Sequence, residues 1–260
     1  MNLTKEIILT RYEKGKIEET SDIVVREQPL TIHLNDIEIV TLLCSPKDFE
    51  YLSLGFLLSE GIIKEKSDIK SIKIDRDKGK AYVDIIENKD TTKCFLKDKV
   101  LTKGCSGASM LYNFEEALYN IPIDNKIKIS YKKVLSVMRE FSGKSELFQN
   151  TGGVHSAALS DGDNMLVFQE DVGRHNALDK VIGEAFMKGI EFSDKILLLS
   201  GRISSEMLTK AAKRNISIVI SRSAPMDLAL EIGKIINMTI IGFARGERFN
   251  LYSGKERIIF

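Results

Sequence analysis

The sequence is poor in several things at once: among its 260 residues there is no tryptophan, and there are only four prolines, three histidines and three cysteines. Three cysteines, an odd number, cannot build a disulfide framework, and no export-type leader precedes them. Both features point to free thiols in a reducing, cytoplasmic compartment. The start, Met1 to Lys16, is charged and lacks the apolar stretch of a signal peptide. With so few histidines and no paired-cysteine spacing, no metal site is expected. Charge of one sign is missing too. The formal net charge is +1, so no global field draws the chain to nucleic acid or to a membrane, and any anion site must rest on local arginines. No run approaches the ~18 consecutive apolar residues of a membrane helix. Neither G-x-G-x-x-G nor G-x-x-x-x-G-K-[ST] occurs, which leaves a standard dinucleotide fold or a P-loop unsupported. There is no internal repeat and no low-complexity tract.

What is present is ordinary globular material, 43% hydrophobic and 29% charged, enough for one large domain or two modest ones. Residues 1–16 read as a loose arm or first strand. From Asp22 to Cys44 apolar residues alternate with polar ones, with a turn at Asn35-Asp36. Pro46 opens a helix through Phe49, Leu52, Leu54, Phe56, Leu57 and Leu58, and Gly61 stops it. Strands over Ile69–Ile74 and Ala81–Ile86 complete a small, mostly antiparallel α+β unit. Residues 88–109 are polar and glycine-bearing, the pattern of a functional loop between two lobes. A helix from Met110 to Leu118 and a linker at Pro122 follow. The expected domains are 1–108 and 109–260.

The second half has another texture. Lys132 to Phe141 reads as helix, Val154–Leu159 and Met165–Phe168 as a hairpin around Asp161-Gly162, and Ala177 to Phe186 as a second helix. Three short apolar runs, Ile196–Leu199, Ile216–Ile220 and Met238–Ile241, are separated by helical patterns, with Pro225 in a first helical turn. Such spacing means βαβ crossovers and a sheet buried on both faces. The order helix, hairpin, helix, strand, helix, strand, helix, strand resembles the cytidine-deaminase architecture, a three-layer α/β arrangement. Its zinc chemistry is excluded here. His175 is followed by Asn176 and Ala177 rather than by x-Glu, and Ser200-Gly201-Arg202-Ile203 stands where thiolates are needed.

Polar chemistry gathers where the apolar runs end. Leu199 leads into Ser200-Gly201-Arg202, Ile220 into Ser221-Arg222-Ser223, Ile241 into Gly242-Phe243-Ala244-Arg245-Gly246-Glu247-Arg248, and the hairpin into Glu170-Asp171-Val172-Gly173-Arg174-His175. If the runs are parallel, Arg202, Arg222 and Arg245 lie along the carboxyl edge of the sheet, where α/β proteins bind ligands and where guanidiniums grip phosphates. Taken singly, each arginine reads first as a surface ion pair with Glu206, Asp227 or Glu247; taken as a set at repeated strand ends, they read as a phosphate site. Thr151-Gly152-Gly153-Val154-His155 is a glycine turn opening a strand. Its histidine is either satisfied by backbone or aimed at a ligand.

Cys44 closes a strand and Cys94 lies beside Phe95, the settings of inert, partly buried thiols. Cys105 differs: it sits between Gly104 and Gly107 in the long loop, with Lys103 and Lys99 near it, the setting of an accessible thiolate.

Together, Phe56-Leu57-Leu58-Ser59-Glu60-Gly61-Ile62-Ile63, Thr151-Gly152-Gly153-Val154-His155-Ser156-Ala157, Glu170 to Lys180, Ser200-Gly201-Arg202, Ser221-Arg222-Ser223-Ala224-Pro225 and Gly242 to Gly246 resemble the FdhD/NarQ family of formate dehydrogenase accessory sulfurtransferases. The resemblance runs from about Ile23 to Tyr252, and the stretch Glu170–Lys180 is its most specific part. It implies a sulfurtransferase in which a cysteine desulfurase loads a persulfide on Cys105. That sulfur passes to the molybdenum or tungsten cofactor, bis-molybdopterin guanine dinucleotide, before insertion into formate dehydrogenase. It implies cofactor binding by Phe243, Ala244, Arg245, Gly246, Glu247 and Arg248, with Arg202, Arg222, Arg174 and His175 at the same edge, and GDP as a mimic. It also implies a cytoplasmic homodimer. Many members carry C-x-x-C in the loop; here Thr102 and Ala108 flank Cys105 at those spacings, so a single thiol remains. The competing reading is a chaperone that holds the molybdenum cofactor without sulfur chemistry.

Overall fold

The computed structural model describes residues 2–86, 123 and 127–260. The Cys105 loop, Cys94, the expected helix Met110–Leu118 and the expected boundary at 108/109 lie outside the described residues. The arm at the start is a strand. β1 (Thr4–Glu13) and β2 (Lys16–Val25) form an antiparallel ribbon turning at Lys14-Gly15, both at positive φ. Ile8, Tyr12 and Ile17 lie on one face of it, open to solvent.

The first unit is a four-stranded sheet in the order β4-β3-β6-β5, built from β3 (Gln28–Leu34), β4 (Ile37–Cys44), β5 (Ile69–Asp75) and β6 (Lys80–Ile85). Asn35 and Asp36 take φ 45 and 64, the pair of left-handed residues that a tight hairpin requires. Helix α1 (Phe49–Glu60) starts three residues after Pro46, because Asp48 at φ 55 still turns the chain. Its end is a glycine cap: Gly61 sits at φ 79, and the N–H groups of Gly61 and Ile62 return to the carbonyls of Leu58 and Leu57. The helix lacks an amphipathic seam because it is buried on nearly every side, at Phe49 and from Leu52 to Ser59.

The second unit is a six-stranded sheet in the order β13-β12-β11-β10-β8-β9. Its strands are β8 (His155–Ser160), β9 (Met165–Asp171), β10 (Ile196–Leu199), β11 (Ile218–Ser221), β12 (Thr239–Arg245) and β13 (Arg248–Ser253). β10, β11 and β12 run parallel; β8 is antiparallel to β10. A small parallel pair, β7 (Ile129–Ser130) with β14 (Ile258–Ile259), ties the chain end to the start of this unit. Helix α2 (Tyr131–Gly143) covers one face through Val134, Val137, Met138 and Phe141, against Ile196, Leu198, Ile218 and Ile220. Helix α3 (Glu146–Thr151), one and a half turns long, follows it. On the other face lie α4 (Arg174–Lys188), α5 (Ser205–Ala212) and α6 (Asp227–Ile235). The fold is therefore α/β, with helices on both faces of a mixed sheet.

Two strand ends differ from expectation. The run at Ile216 enters the sheet only at Ile218, since Ile216 and Ser217 complete the turn out of α5. The stretch after Ile241 is not a free turn: β12 continues to Arg245 through a bulge and pairs with β13.

The two units share one core. Leu30, Leu52 and Leu57 pack in the same cluster as Leu178, Val181 and Leu208. Helices α1 and α4 cross at van der Waals contact of their backbones. A Cβ on Gly55 would fall 1.7 Å from the Asp179 carbonyl oxygen, and one on Gly183 would fall 2.0 Å from that of Tyr51. Lys213 and Arg214 donate to the carbonyls of Ser59 and Leu58, placing two cations at the negative end of α1.

Candidate functional site: an arginine-lined cleft at the carboxyl edge of the sheet

The parallel register of β10, β11 and β12 brings the three arginine-bearing turns to one edge, as read from the sequence. Backbone bonds knit them together. Arg222 N donates to Leu199 O (3.1 Å), Ile203 N to Ala224 O (3.0 Å) and Phe243 N to Ser223 O (3.1 Å). Ser221 Oγ donates to Gly201 O at 2.6 Å and accepts from Ser223 N at 2.9 Å, so the small residues of these turns form a fixed lattice. Because β8 is antiparallel to β10, its first residue, His155, arrives at the same edge.

Between this edge and α2 runs a cleft of two adjoining lobes. The first, of about 260 Å³, is walled by Phe141, Phe148 and Val154 and rimmed by His155, Ser200, Arg222 and Arg245. The second, of about 180 Å³, shares Ser142, Arg222 and Arg245 with it and adds Arg139, Ala244 and Gly246. The walls are apolar and the convergent polar groups are serine hydroxyls and guanidiniums, which suits a ring-bearing ligand with phosphates. The size suits one nucleotide moiety rather than a whole dinucleotide cofactor.

Arg245 is held from behind. Its Nε donates to Arg222 O at 2.7 Å, its guanidinium carbon lies 5.9 Å from the Phe243 ring centre, and its terminal nitrogens have no acceptor among the described residues. The hairpin that presents it is unusual. Phe243 sits at φ 52 and Gly246 at φ 55, and Gly242 lies so close to Pro225 and Tyr252 that a Cβ would meet both at 2.9–3.0 Å. A bulky residue in the left-handed region marks a site held in place by its surroundings.

The ion-pair reading of the arginines is not what the fold adopts. Glu247 pairs with Arg139 at 2.8 Å and Glu206 faces His175 at 3.4 Å, while Arg202, Arg222 and Arg245 form no ion pair among the described residues. The expected site residues divide. Arg222, Ala244, Arg245 and Gly246 line the cleft; Phe243 supports Arg245; Arg248 is exposed beside Arg245 in the hairpin, and Arg202 is exposed at the same edge. His175 is not among the cleft residues. It lines a separate recess with Ser59, Glu60, Glu206, Thr209, Lys210 and Lys213, because the first turn of α4 carries it toward α1 and α5. Burial first, then Lys210 and Arg174, brings its pKa down to about 4. Arg174 lies between the two places, with its Nε buried and without a partner among the described residues.

Most of the run Glu170–Lys180 holds the molecule together. Asp171 and Lys180, both fully buried, pair at 2.7 Å. Asp171 also accepts from Ser45 N (3.1 Å), Gly173 N (2.9 Å) and Asn176 Nδ2 (2.9 Å). Asn176 Nδ2 reaches Leu43 O at 2.8 Å, and Asp179 takes Lys210 at 2.6 Å and Ser59 Oγ at 2.7 Å. Every one of these contacts fastens α4, the first unit or α5. The sequence reading missed Phe141, Ser142, Ser145 and Phe148. Of these only Phe141 had a place in the sequence reading, as the end of the helix expected from Lys132, and none was tied to a site. Ser145 Oγ donates to Glu170 Oε1 and accepts from Ser156 Oγ.

Cys44 is sealed in the core, donating its Sγ–H to Gln28 O at 3.5 Å. Burial, and then the Asp171 carboxylate, pushes its thiol up to about 12. Among the described residues no cluster of three metal-ligating side chains occurs, and no helix is long and apolar enough to cross a membrane.

Comparison with known proteins agrees across the chain. A sulfur carrier protein FdhD of Bacillus subtilis is 43% identical over 253 residues, covering 95% of each chain. One from Bacillus pumilus is 40% identical over 257 residues, covering 99% of this chain and 98% of its own. A crystal structure assigned as a formate dehydrogenase accessory protein from Desulfotalea psychrophila superposes with a TM-score of 0.80 at 27% identity, covering 99% of this chain and all of that one. The FdhD/NarQ family model matches residues 25–259, and the chain belongs to that family.

Proposed function

We propose that this chain is a sulfurtransferase that carries sulfur, as a persulfide on Cys105, from a cysteine desulfurase to bis-molybdopterin guanine dinucleotide for the maturation of formate dehydrogenase. The observation that carries the reading is the cleft lined by Arg139, Arg222 and Arg245, which suits the guanine nucleotide end of that substrate. The relatives' name, sulfur carrier protein FdhD, supports the sulfur chemistry. In loading, the Cys105 thiolate attacks the outer sulfur of the desulfurase persulfide and the desulfurase thiolate leaves. Cys44 cannot take this part, since a thiol buried at a pKa of about 12 supplies almost no thiolate. Cys105, between glycines, is the better placed of the other two. The working form is a cytoplasmic homodimer.

Two measurements test the reading. Incubation with a desulfurase and cysteine, followed by mass spectrometry, is expected to add one sulfur atom to the Cys105 peptide. Cys44→Ala and Cys94→Ala load normally and Cys105→Ala does not. In cells lacking the chain, Cys105→Ala fails to restore formate dehydrogenase. If it restores activity, sulfur carriage by this residue is wrong and the chain is a cofactor-holding chaperone. For the cleft, Arg245→Ala is expected to weaken GDP binding about ten-fold by calorimetry.

A further inference from the structure

His155 belongs to none of the roles above, yet it stands in the cleft with Arg222 and Arg245. Its ring is fixed. Ser200 Oγ lies 3.4 Å from Nδ1, and Gly201 packs so closely that a Cβ there would fall 3.2 Å from the same atom. Ser200 Oγ in turn accepts the N–H of Ser156 at 2.9 Å. The charged groups around the ring come from four elements. Arg174 faces it from α4 and Arg202 from the turn after β10. Arg222 and Arg245 share its cleft, and His175 is within electrostatic reach. The nearby carboxylates are engaged elsewhere: Asp171, opposite in the β8–β9 register, with Lys180, and Glu170 with Ser145. Among the described residues, the charges that act on the ring are therefore cationic. Burial, then Arg174 and Arg202, lowers its pKa from the ordinary 6.5, which favours the neutral ring.

We propose that His155 is a ligand-contacting residue of this cleft, which takes up a proton when a phosphate-bearing ligand enters and so tightens binding as pH falls. The inference rests on the reading of the cleft as a phosphate site. A phosphate among the guanidiniums cancels the repulsion that keeps the imidazole neutral, and its own charge favours the imidazolium. The sign follows. The free pKa lies below 6.5 and the bound pKa lies above the free one. Between the two, binding takes up a proton, so affinity rises as pH falls through that window and is level outside it. Each unit of separation corresponds to about a ten-fold gain. The same device favours anions of higher charge, because only they cancel the surrounding cations.

The test uses the full chain and GDP as the probe. The chain has only three histidines, so the His155 ring signals can be followed by NMR across pH with and without GDP. The expected result is a midpoint below 6.5 in the free protein, moving up by about one unit or more on binding. Calorimetry in buffers of different ionisation heat is expected to show more proton uptake in wild type than in His155→Gln; the nucleotide's own phosphate titrates in both and cancels in the comparison. At pH 8 the two proteins bind within about two-fold, and at pH 6 the variant is weaker by about five-fold or more. A His155 midpoint that ignores GDP, or a variant with the wild-type pH profile, overturns the proposal while binding itself, sensitive to Arg245→Ala, leaves the cleft intact. Absence of GDP binding to wild type overturns both.

Discussion

At the scale of single residues, burial decides which titratable groups are available to chemistry. Cys44 is the plain case. With its pKa near 12, about one molecule in ten thousand carries the thiolate at pH 8, so iodoacetamide is expected to leave it unmodified in the folded chain. Peptide mapping that finds Cys44 alkylated as fast as an exposed thiol contradicts the packing described above. His175 shows the reverse sign of effect. Its pKa falls from 6.5 to about 4 on folding, despite the Glu206 carboxylate 3.4 Å away. Between those values the unfolded chain binds a proton that the folded chain refuses, so stability is lost as pH drops from 6.5 toward 4. With the side chain 28% exposed the effect is discounted to about 1 kcal/mol. Urea unfolding of His175→Gln at pH 7, 6 and 5 is expected to show a correspondingly shallower loss.

At the scale of elements, the crossing of α1 and α4 makes the sharpest demand. Gly55→Ala places a methyl group inside the Asp179 carbonyl, and is expected to cost about 3 kcal/mol or to prevent folding. Gly143→Ala, with open space around it, is expected to leave stability within about 1 kcal/mol of wild type. Thermal unfolding of the two variants side by side checks both. Nothing in the sequence reading singled out Gly55 or Gly183, because a glycine inside a helix shows its reason only when the partner backbone is in place. The parallel strands were legible for the opposite reason. Buried on both faces, Ile196–Leu199 and its neighbours read as continuous apolar runs between helical periods. Helix α3 was not legible, being six residues long with no repeat of its period. β13 was hidden by the arginines and glycine of its hairpin, which read as loop.

For the whole molecule, the edge of the sheet was visible in the sequence and the shape of the cleft was not. The strand ends placed Arg222 and Arg245 together, but the wall contributed by α2 and α3 depends on how those helices lie across the sheet. His175 parted from the cleft for the same reason, since one residue of helical rotation separates it from Arg174. The β1–β2 ribbon projects from this body and meets it where the end of β2 packs by α3. It lies almost wholly before residue 25, where the family match begins, and its residues from Lys5 to Asp22 are largely exposed. Removal of residues 1–21 is therefore expected to shift the thermal midpoint by no more than about 3 °C. A larger drop in scanning calorimetry implies that the ribbon packs more tightly than its exposure indicates.

The buried pair of Asp171 and Lys180 has a consequence for how such a chain can change over generations. Losing one partner strands a charge where water cannot reach it, at about 3–5 kcal/mol, a large part of the ~5–15 kcal/mol that holds a domain together. Replacing both at once by apolar residues can be nearly neutral. The two positions are thus separated from their alternatives by a valley that single mutations must cross, and lineages stay on the near side of it whether or not the pair is the better solution. Asn176 and Ser45, which complete the shell of Asp171, are held by the same valley. The stretch Glu170–Lys180 is, on this account, kept by lock-in at the joint between α4 and the first unit.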